Sequence, residues 1–339
     1  MGDVFAHILD QSEPIGQILA AYRNGRLPHG VIFAGPAGVG KGTVATALAK
    51  LFLCDDGKDV YAMGLIDAGT HPDFHLITKE LIRLTSKTSK ATTLSIDVVR
   101  DHLVAPAMKK SVTGKGKVFV VEEADLMQAA AQNSILKTLE EPAGRSLIIL
   151  LTPKPDDLLP TIRSRTQIFR FGQLSDKTVF AQLKLRGHDP KTAESATRLA
   201  DGSLGVALRW IEDGVVAQAE DLASHVNGLL MGRPTADLAD WLKSASDAYA
   251  VRQIEKDELT SKDNATRTGI IVYLDLLARQ FRKALRETDD DQLLERLCEA
   301  IDAVYRAQSY LESNVNISLA LQQLGSALER LFSVSIVSR

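Results

Sequence analysis

The sequence predicts an α/β domain with a parallel sheet covered by helices on both faces, followed by two helical domains. Apolar, strand-like runs alternate with helical stretches through the first half of the 339 residues, and this alternation is typical of a parallel sheet buried on both faces. A phosphate-binding loop pattern lies between one of these strands and the helix that follows it. Beyond about residue 172 the strand pattern is lost and helical spacing takes over. We therefore predict domains at 1–172, 173–214 and 215–339, a number that fits the chain length.

The elements of the α/β domain follow from apolar spacing and from turn chemistry. Pro14 suits the first turn of a helix, and Ser95 or Asp97 can cap the helix that begins there. Pro142 ends the helix before it, because proline disfavours helical backbone in the preceding residue. The predicted helices are 14–22, 44–52, 97–107 and 126–139, and the predicted strands are 31–34, 74–78, 117–121 and 146–151. A stretch rich in Ser, Thr and Lys at 80–93 is predicted to be a mobile loop.

Helical spacing of apolar residues continues through the rest of the chain. Three short helices joined by Gly and Pro turns predict a small helical lid domain, and five longer ones predict an all-helical domain that packs as a bundle. The predicted helices are 175–186, 191–200, 203–212, 217–230, 236–259, 266–286, 293–312 and 317–332. A strand-like run at 334–337 is too short to count as an element.

The composition argues against several classes of protein. The formal net charge of −3 gives no overall basic footprint, so any nucleic-acid contact must be local. The two cysteines, Cys54 and Cys298, lie far apart, which argues against a disulfide framework and a cysteine zinc site. No run approaches the roughly 18 apolar residues of a membrane span, and residues 1–16 lack the pattern of a signal peptide. We therefore predict a cytoplasmic protein without zinc.

The phosphate-binding loop has one substitution that changes its chemistry. Its backbone N–H groups, the N-terminus of the next helix and Lys41 are suited to hold the phosphates of ATP or ADP. Gly42 stands where the pattern has Ser or Thr, whose hydroxyl is a ligand of Mg²⁺, an ion that tolerates little departure from octahedral geometry. We predict a site that can bind nucleotide but is poorly equipped to bind Mg²⁺ and to hydrolyse ATP. The predicted binding residues are Gly35, Pro36, Ala37, Gly38, Val39, Gly40, Lys41, Gly42, Thr43 and Glu122.

An apolar strand that ends in two acidic residues, Glu122 and Glu123, has a Walker B pattern. In such sites the first acid helps to hold Mg²⁺ and the second polarises the attacking water. The first acid here is Glu rather than Asp, and the extra methylene displaces its carboxylate by roughly 1.5 Å. The alternative is an ordinary strand followed by an acidic helix cap, which the phosphate-binding loop upstream makes the weaker interpretation. Thr152, at the end of the next predicted strand, is a candidate to reach the γ-phosphate, although a local hydrogen bond is the commoner role of such a residue.

Two clusters of basic residues remain. Arg163 and Arg165 follow a turn that begins at Pro160, and arginine is suited to bidentate contact with phosphate. An arginine given to a neighbouring subunit's γ-phosphate is worth about 10³–10⁵-fold in rate, while a surface helix cap explains these residues equally well. The second cluster consists of Lys109, Lys110, Lys115 and Lys117. These lysines could meet a nucleic-acid backbone through charge, but a solvated loop before a buried strand is the favoured interpretation.

Four stretches resemble, in chain order, motifs of the clamp-loader subunits of the AAA+ superfamily. The segment AGTHPD at 68–73 resembles one that is typical of bacterial subunits. QNSILKTLEEP at 132–142 resembles their signature helix, and LPTIRSR at 159–165 resembles the motif that carries their arginine finger. NVNISLAL at 314–321 resembles the end of their collar domain. The match is highly specific up to about residue 215.

The resemblance implies an AAA+ core followed by a lid domain and a collar domain. It implies that Arg165 is an arginine finger that acts in trans, that Glu123 is the Walker B acid that activates water, and that Thr152 occupies the sensor 1 position. It also implies an assembly of five subunits with motor (gamma/tau-like) and delta-like partners. Such an assembly opens a sliding clamp and places it on primed DNA, as part of a DNA-directed DNA polymerase holoenzyme.

Departures from the motor pattern of this family favour a non-motor subunit. Gly42 and Glu122 replace the usual metal-binding residues, and Gly205 stands where motor subunits carry a sensor 2 arginine. Many family members bind zinc through cysteines, of which only Cys54 is present here, so we expect no zinc. We expect a stator that donates Arg165 to a neighbour while its own site is degenerate.

Two other functions stay open from the sequence. One is a competent motor of the same family, since Lys41, Thr43 and Glu123 are present. Thr43 would then have to supply the missing hydroxyl, although one helical step rotates a side chain by about 100°. The other is a P-loop kinase or transport ATPase, in which the helix at 132–142 has no expected role. The sequence also leaves open whether the site holds ATP, ADP or neither.

Overall fold

The computed structural model describes residues 4–85, 92–232, 236–258, 260–313 and 315–333. The chain divides into two compact units. The first comprises Met1–His188 and Ala200–Val206, and the second comprises Asp189–Leu199 and Ala207–Arg339. The strand-like run at 334–337, and residues 86–91 of the predicted mobile loop, lie outside the described residues. The division into three domains after 172 and 214 stays a prediction.

A five-stranded sheet forms the centre of the first unit. Its strands are β1 (Gly30–Ala34), β2 (Phe74–Ile77), β3 (Lys117–Val121), β4 (Ser146–Thr152) and β5 (Gln167–Arg170). They lie in the order β2-β3-β4-β1-β5, and every neighbouring pair is parallel. The predicted parallel sheet is therefore confirmed. The sequence prediction lacks β5, because only Phe169 of its four residues is fully buried and the strand has no apolar run.

Helices cover both faces of this sheet. Val31 and Phe33 of β1 pack in one apolar cluster with residues of α1 (Ser12–Arg23) and α2 (Lys41–Leu53). Ile32, between them, belongs to a second cluster that includes residues of the helices after β2 and β3. Successive side chains of a strand point to opposite faces. Two buried faces therefore explain why the central strands are continuous apolar runs in the sequence.

The remaining helices of the first unit are short. They are α3 (Val60–Asp67), α4 (Ile82–Thr85), α5 (Ile96–Val99), α6 (Ala105–Ala107), α7 (Ala129–Ser134), α8 (Leu136–Glu140), α9 (Pro160–Arg163) and α10 (Asp176–Leu185). A π-helical segment, Arg100–Val104, joins α5 to α6, so the helix predicted at 97–107 is present with wider turns in its middle. The sequence prediction lacks α3, which exposes much of its apolar surface.

The single helix predicted at 126–139 is wrong at its start. Ala124–Leu126 forms a 3₁₀ turn, the next residue is extended, and α7 begins only at Ala129. The cause is a strand-like pairing with Leu94. The N–H of Leu94 donates to the carbonyl oxygen of Leu126 (3.0 Å), and its own carbonyl oxygen accepts from the N–H of Gln128 (3.4 Å). These bonds hold the backbone at 126–128 out of a helix.

The second unit is helical throughout its described residues, as the sequence predicts. It contains most of α11 (Pro190–Ala200) and α12 (Leu204–Glu212), together with α13 (Val215–Leu230), α14 (Ala236–Lys256), α15 (Lys262–Glu287), α16 (Asp291–Glu312) and α17 (Ile317–Phe332). The longest helix, α15, begins before the predicted start at 266, because the side chain of Ser261 caps it by accepting a hydrogen bond from the N–H of Asn264. Tyr273 and Phe281 of α15 are fully buried. In the part of the chain that the structure describes, no helix is long and apolar enough to cross a membrane.

Candidate functional site

The predicted nucleotide-binding residues lie where the carboxyl ends of β1, β3 and β4 meet. The loop at 35–41 joins β1 to α2, and the N–H of Gly35 donates to the carbonyl oxygen of Thr152 at the end of β4 (3.1 Å). Glu122 follows β3 directly, and its N–H donates to the carbonyl oxygen of Ile77 (3.0 Å). This is the edge at which parallel sheets bind ligands. The structure thus brings the loop, the Walker B acids and Thr152 together.

Lys41 does not extend from the loop but folds back onto it. Its ammonium donates to the carbonyl oxygens of Gly35 and Pro36, each at 2.6 Å. The residue is 7% exposed, and its burial lowers the pKa of Lys41 to about 8, against the opposing effect of the Asp125 carboxylate. The ammonium that would neutralise a phosphate is thus used to hold the loop.

The next three carbonyl oxygens of the loop have partners as well. Ser203 Oγ donates to Ala37 (2.7 Å), the N–H of Gly205 donates to Gly38 (2.9 Å), and Gln11 Nε2 donates to Val39 (3.2 Å). Five successive carbonyl groups are therefore hydrogen-bonded to protein groups, which fixes the conformation of the loop. Gln11 is buried and also donates to the carbonyl oxygen of Gly172 (2.9 Å). This second bond ties the loop to the segment after β5.

A close backbone approach in the site joins Gly38 of the loop to Gly205 at the start of α12, both within the first unit. A Cβ at Gly205 would lie 2.7 Å from the Cα of Gly38, and a Cβ at Gly38 would lie 2.9 Å from the Cα of Gly205. Gly38 also has a φ of +74°, a conformation that favours glycine. Any side chain at Gly205 would push the loop and the start of α12 apart, and this includes the arginine that motor subunits are expected to carry there.

Gly205→Ala is expected to lower the free energy of unfolding by about 1–3 kcal/mol, the usual cost of overpacking. The new methyl group meets backbone atoms, which cannot move aside as a flexible side chain can. Gly16→Ala in α1 is the matched control, because a Cβ at Gly16 meets nothing within 4 Å and should stabilise the helix by up to about 1 kcal/mol. Urea unfolding followed by circular dichroism measures both variants. Equal stabilities would show that the contact between the two glycines is loose.

Gly42, the second residue of α2, has room for a side chain. A Cβ there would meet Leu151 Cδ1 at 3.9 Å and Glu122 Oε1 at 4.0 Å, and both are ordinary van der Waals distances. Gly42, Thr43 and Glu122 line one cavity of about 640 Å³. A hydroxyl at position 42 would thus lie close to the Glu122 carboxylate, but glycine supplies none.

The two Walker B acids differ in their surroundings. Burial raises the pKa of Glu122, and the carboxylates of Glu123 and Glu80 raise it further, against the effect of Lys79. Glu123 forms an ion pair with Lys79, with 2.7 Å between Oε2 and Nζ. Its backbone has a φ of +47°, which is uncommon for a residue other than glycine. The carboxylate of Glu123 is thus engaged by the Lys79 ammonium, and it would have to leave this partner to polarise a water molecule.

Thr152 takes part in a local hydrogen-bond network. Its side chain is fully buried, its hydroxyl donates to Asp125 Oδ1 (2.8 Å), and the hydroxyl oxygen accepts from the N–H of Lys154 (2.9 Å). The local hydrogen bond that the sequence leaves as an alternative is therefore present. A contact between Thr152 and a γ-phosphate stays a prediction.

The backbone of Arg165 lies near the amino ends of β1 and β5, whereas the phosphate-binding loop follows the carboxyl end of β1. Arg165 precedes β5, in which Gln167 pairs with Val31 of β1. Its carbonyl oxygen is 3.7 Å from the position of a Cβ on Gly30, the first residue of β1. The five residues of β1 span about 16 Å at a rise of about 3.3 Å each. The structure therefore does not bring Arg165 to the loop of its own chain.

The guanidinium group of Arg165 is held on two sides. Nε donates to Glu140 Oε1 (2.6 Å), and Nη2 lies 2.5 Å from the same oxygen. Nη1 donates to the carbonyl oxygen of Thr161 (3.0 Å). The side chain is nevertheless 37% exposed. Arg163 differs, since it forms an ion pair with Asp156.

Gln132, in the predicted signature helix, connects this arginine segment to the Walker B side of the site. The residue is buried, and its Nε2 donates to the carbonyl oxygens of Met127 (3.0 Å) and Asp157 (3.3 Å). Its Oε1 accepts from the N–H of Leu159 (2.7 Å). The resemblance in sequence gives this residue no role, whereas the structure shows that it anchors the turn that leads to Arg165.

The residues that hold the predicted site residues in place are missing from the sequence prediction. They are Gln11, Lys79, Asp125, Glu140 and Ser203. For Lys79 and Asp125 a signal exists, because they follow β2 and β3 closely and the carboxyl ends of strands carry functional residues. No spacing rule connects the other three to the loop or to Arg165, because these contacts join segments that meet only in the folded chain.

The lysine cluster at 109–117 is partly used inside the protein. Lys117 is buried, and its ammonium donates to the carbonyl oxygens of Lys109 (2.7 Å) and Pro106. Lys115 forms an ion pair with Asp55 (2.5 Å). Lys109 and Lys110 are exposed. About half of the positive charge that the sequence predicts the cluster to offer a nucleic-acid backbone is therefore available. Contact of these lysines with DNA stays a prediction.

Asp73, the last residue of the segment at 68–73, shapes the loop that carries these lysines. Its carboxylate is fully buried and accepts from Ser111 Oγ (3.0 Å), the N–H of Val112 (2.9 Å), and the N–H and Oγ1 of Thr113 (2.8 and 2.7 Å). Burial by itself would raise the pKa of Asp73, but these hydrogen bonds outweigh it and lower the pKa. The segment that resembles a bacterial family motif therefore has a structural role here.

No group of three or more His, Cys, Asp or Glu side chains that could hold a metal ion occurs in the described ranges. Cys54 is buried, and burial is the main cause that raises the pKa of its thiol to about 11. Zinc binds the thiolate form, which this environment disfavours. The absence of zinc stays a prediction, which metal analysis of the purified protein can test.

Known proteins that resemble the chain are clamp-loader subunits. A family model described as "DNA polymerase III, delta subunit" matches residues 10–175. A DNA polymerase III subunit delta' from Pseudomonas aeruginosa is 35% identical over 227 residues, which cover 64% of this chain and 66% of that subunit. A DNA polymerase III subunit tau from Salmonella typhimurium is 26% identical over 241 residues, which cover 69% of this chain and 37% of that subunit. The matches thus span less than two thirds of these relatives' own lengths.

Among solved structures, a DNA polymerase III gamma subunit-related protein from Thermotoga maritima resembles the chain. It has 18% sequence identity and a TM-score of 0.45, and the alignment covers 94% of this chain and 99% of that one. No functional conclusion follows from so distant a similarity.

Proposed function

Because the chain belongs to the clamp-loader family and is delta-prime-like in its matched region, we propose that it is a non-motor subunit of a DNA polymerase III clamp loader. In this role it assembles with motor (gamma/tau-like) and delta-like subunits, and it acts on the sliding clamp and primed DNA through the complex. Its own nucleotide site is degenerate, and its Arg165 completes the site of a neighbouring subunit.

The observation that carries this proposal is the distance between Arg165 and the phosphate-binding loop of its own chain. The two lie at opposite ends of β1, about 16 Å apart. An arginine side chain reaches roughly 7 Å from its Cα, so it cannot meet a phosphate held by its own loop. A partly exposed guanidinium at the amino end of β1, away from the loop, is suited instead to a nucleotide on another subunit.

Three features support a degenerate site in this chain. Gly42 offers no hydroxyl to Mg²⁺, Lys41 is bonded to the carbonyl groups of its own loop, and Glu123 is paired with Lys79. Phosphoryl transfer requires a metal ion, a cation on the transferred phosphate and a positioned water molecule. Each feature weakens one of these three requirements.

Nucleotide titration of the purified chain tests the degenerate site. We expect weak binding of ATP whose Kd changes by less than about twofold on addition of Mg²⁺, because no side-chain hydroxyl is available to complete the metal site. Gly42→Thr is the matched variant, since position 42 has room for a Cβ atom. There we expect Mg²⁺ to strengthen binding by about tenfold, the value of about 1.4 kcal/mol for one regained interaction. A fluorescent ATP analogue, titrated with and without Mg²⁺, measures both.

The alternative function is that of a competent motor subunit. It is favoured by the presence of Lys41, Thr43 and Glu123 and by the similarity to a tau subunit. A motor would bind ATP in a strongly Mg²⁺-dependent manner and would release phosphate as the isolated chain. Either result for the unmodified protein would contradict a degenerate site. Release of phosphate that appears only after mixing with motor and delta-like subunits would support the non-motor role.

A further inference from the structure

We propose that Glu140 is a positioning residue for Arg165, which holds the guanidinium group in a fixed direction before a neighbouring nucleotide site is met. The inference rests on the proposed function, since it concerns the arginine that the chain gives to its neighbour. Nothing in the resemblance to the family assigns a role to this glutamate. Its basis is the geometry of the pair in this chain.

The hydrogen bonds and the ion pair around Arg165 leave one of its N–H donors without a partner among the described residues. A guanidinium group has five N–H donors. Nε and one N–H of Nη2 point to Glu140 Oε1 (2.6 and 2.5 Å), and Nη1 donates to Thr161 O (3.0 Å) and Ser164 Oγ (3.3 Å). The second N–H of Nη2 is the donor that remains, on a side chain that is 37% exposed. The arginine is therefore oriented with one N–H available to an incoming anion.

Glu140 is itself held by rigid structure. It is the last residue of α8, and Glu141 leaves helical geometry (φ −130°, ψ 73°) immediately before Pro142. The residue before it, Leu139, is buried in the apolar cluster on one face of the sheet. The carboxylate thus extends from the end of an anchored helix, and small movements of α8 are resisted by the core. A positioning group requires this kind of support.

The ion pair between Glu140 and Arg165 is better explained as a means of orienting the guanidinium group than as a contribution to folding stability. Both side chains are more than one third exposed (37% and 47%), and ion pairs of this kind contribute little to folding. An arginine that is free in solution has many rotamers, and it loses them when it binds a phosphate. A carboxylate that already restrains the guanidinium reduces this loss. The γ-phosphate then meets an N–H donor of Arg165 that is already oriented, as catalysis by preorganised charges requires.

The test compares Glu140→Ala with Glu141→Ala in a clamp loader that is reconstituted with motor and delta-like subunits. The measured quantity is the rate of the ATP-hydrolysis component that Arg165→Ala removes. Glu140→Ala is expected to lower kcat of this component by about tenfold, within the range for a misplaced catalytic group, with less than about a twofold change in the KM for ATP. Glu141 has no contact with the arginine among the described hydrogen bonds and ion pairs, so Glu141→Ala should behave as the unmodified protein.

A second measurement shows whether Glu140 acts through Arg165. In the Arg165→Ala background, Glu140→Ala should cause no further loss. In the isolated chain, the Nε–H resonance of Arg165 in an NMR spectrum should be protected from solvent exchange, and Glu140→Ala should remove this protection while Glu141→Ala keeps it. This spectrum requires no partner subunit, so it tests the contact itself.

The possible results separate this inference from the proposed function. If Arg165→Ala leaves hydrolysis unchanged, the proposed arginine finger fails. If Arg165→Ala removes the component but Glu140→Ala has no effect or raises its rate, the finger stands and the positioning role of Glu140 is wrong. Additive losses in the double variant would also overturn it, because they would show that Glu140 acts elsewhere.

Discussion

A reconstituted clamp loader that carries Arg165→Ala is expected to hydrolyse one fewer ATP molecule per complex in its first turnover. Hydrolysis at the neighbouring site that we propose Arg165 to complete should slow by about 10³-fold or more, the usual cost of a lost arginine finger. Assembly should survive, because the exposed pair with Glu140 is of a kind that contributes about 0.2–1 kcal/mol to stability. Rapid-quench measurement of the burst counts the ATP molecules hydrolysed, and size-exclusion chromatography checks the assembly.

Arg163→Ala is the matched control for this experiment. The residue lies two positions earlier on the same turn, but its guanidinium is paired with Asp156 instead of Glu140. The burst should therefore keep its full amplitude in this variant. A full burst with Arg165→Ala would exclude the arginine finger, and a reduced burst in both variants would indicate damage to the turn itself.

The second large effect concerns folding. Asp73→Asn is expected to lower the free energy of unfolding by about 2–4 kcal/mol, because hydrogen bonds to a charged group contribute about 1.5–3 kcal/mol each and more than one would be weakened. The buried carboxylate accepts from four donors of Ser111, Val112 and Thr113. An asparagine would place its own NH₂ group against some of these donors in either orientation. Urea unfolding at pH 7 measures the loss.

The same variant should change the response to acid. The hydrogen bonds hold the pKa of Asp73 in the folded state below its ordinary value, in spite of burial. Asp73 therefore contributes its full stability above an unfolded-state pKa of about 3.9, and this contribution is lost as the pH falls through the folded-state pKa. The deficit of Asp73→Asn should be full at pH 7 and should shrink below about pH 4.

Unfolding experiments at both pH values check this expectation. Asp101→Asn, a change at an exposed carboxyl on the helical segment after α5, should stay within about 0.5 kcal/mol of the unmodified protein. A deficit of Asp73→Asn that does not depend on pH would show that Asp73 is not ionised in the folded protein.

The parts of the fold that the sequence predicts correctly are those with a local signal. β3 and β4 are buried on both faces, so their residues form continuous apolar runs. The phosphate-binding loop is recognised because a strand, glycines and a helix follow one another within a few residues. The approach of Glu122 and Thr152 to the loop also follows from the sequence, since the carboxyl ends of parallel strands share one edge.

The parts that the sequence does not predict depend on contacts between distant segments. The helix predicted at 126–139 is interrupted because Leu94 pairs with the backbone at 126–128, and no local pattern indicates such a pairing. Lys41 has the expected position in the motif, yet its ammonium is directed to the loop carbonyls. Spacing in a sequence predicts where a side chain begins, whereas its direction depends on neighbours that only the fold brings together.

The two glycines that depart from the motor pattern differ in how readily a lineage could reverse them. At Gly42, the Cβ of a serine or threonine would meet its neighbours at 3.9 Å or more, so one substitution is enough to introduce a hydroxyl. At Gly205, an arginine would start with a Cβ 2.7 Å from the Cα of Gly38, so the loop and the helix start would first have to separate. Descendants of this chain can return toward metal binding one residue at a time. At Gly205, no single substitution introduces an arginine without disrupting this contact, so the glycine there is harder to replace than Gly42.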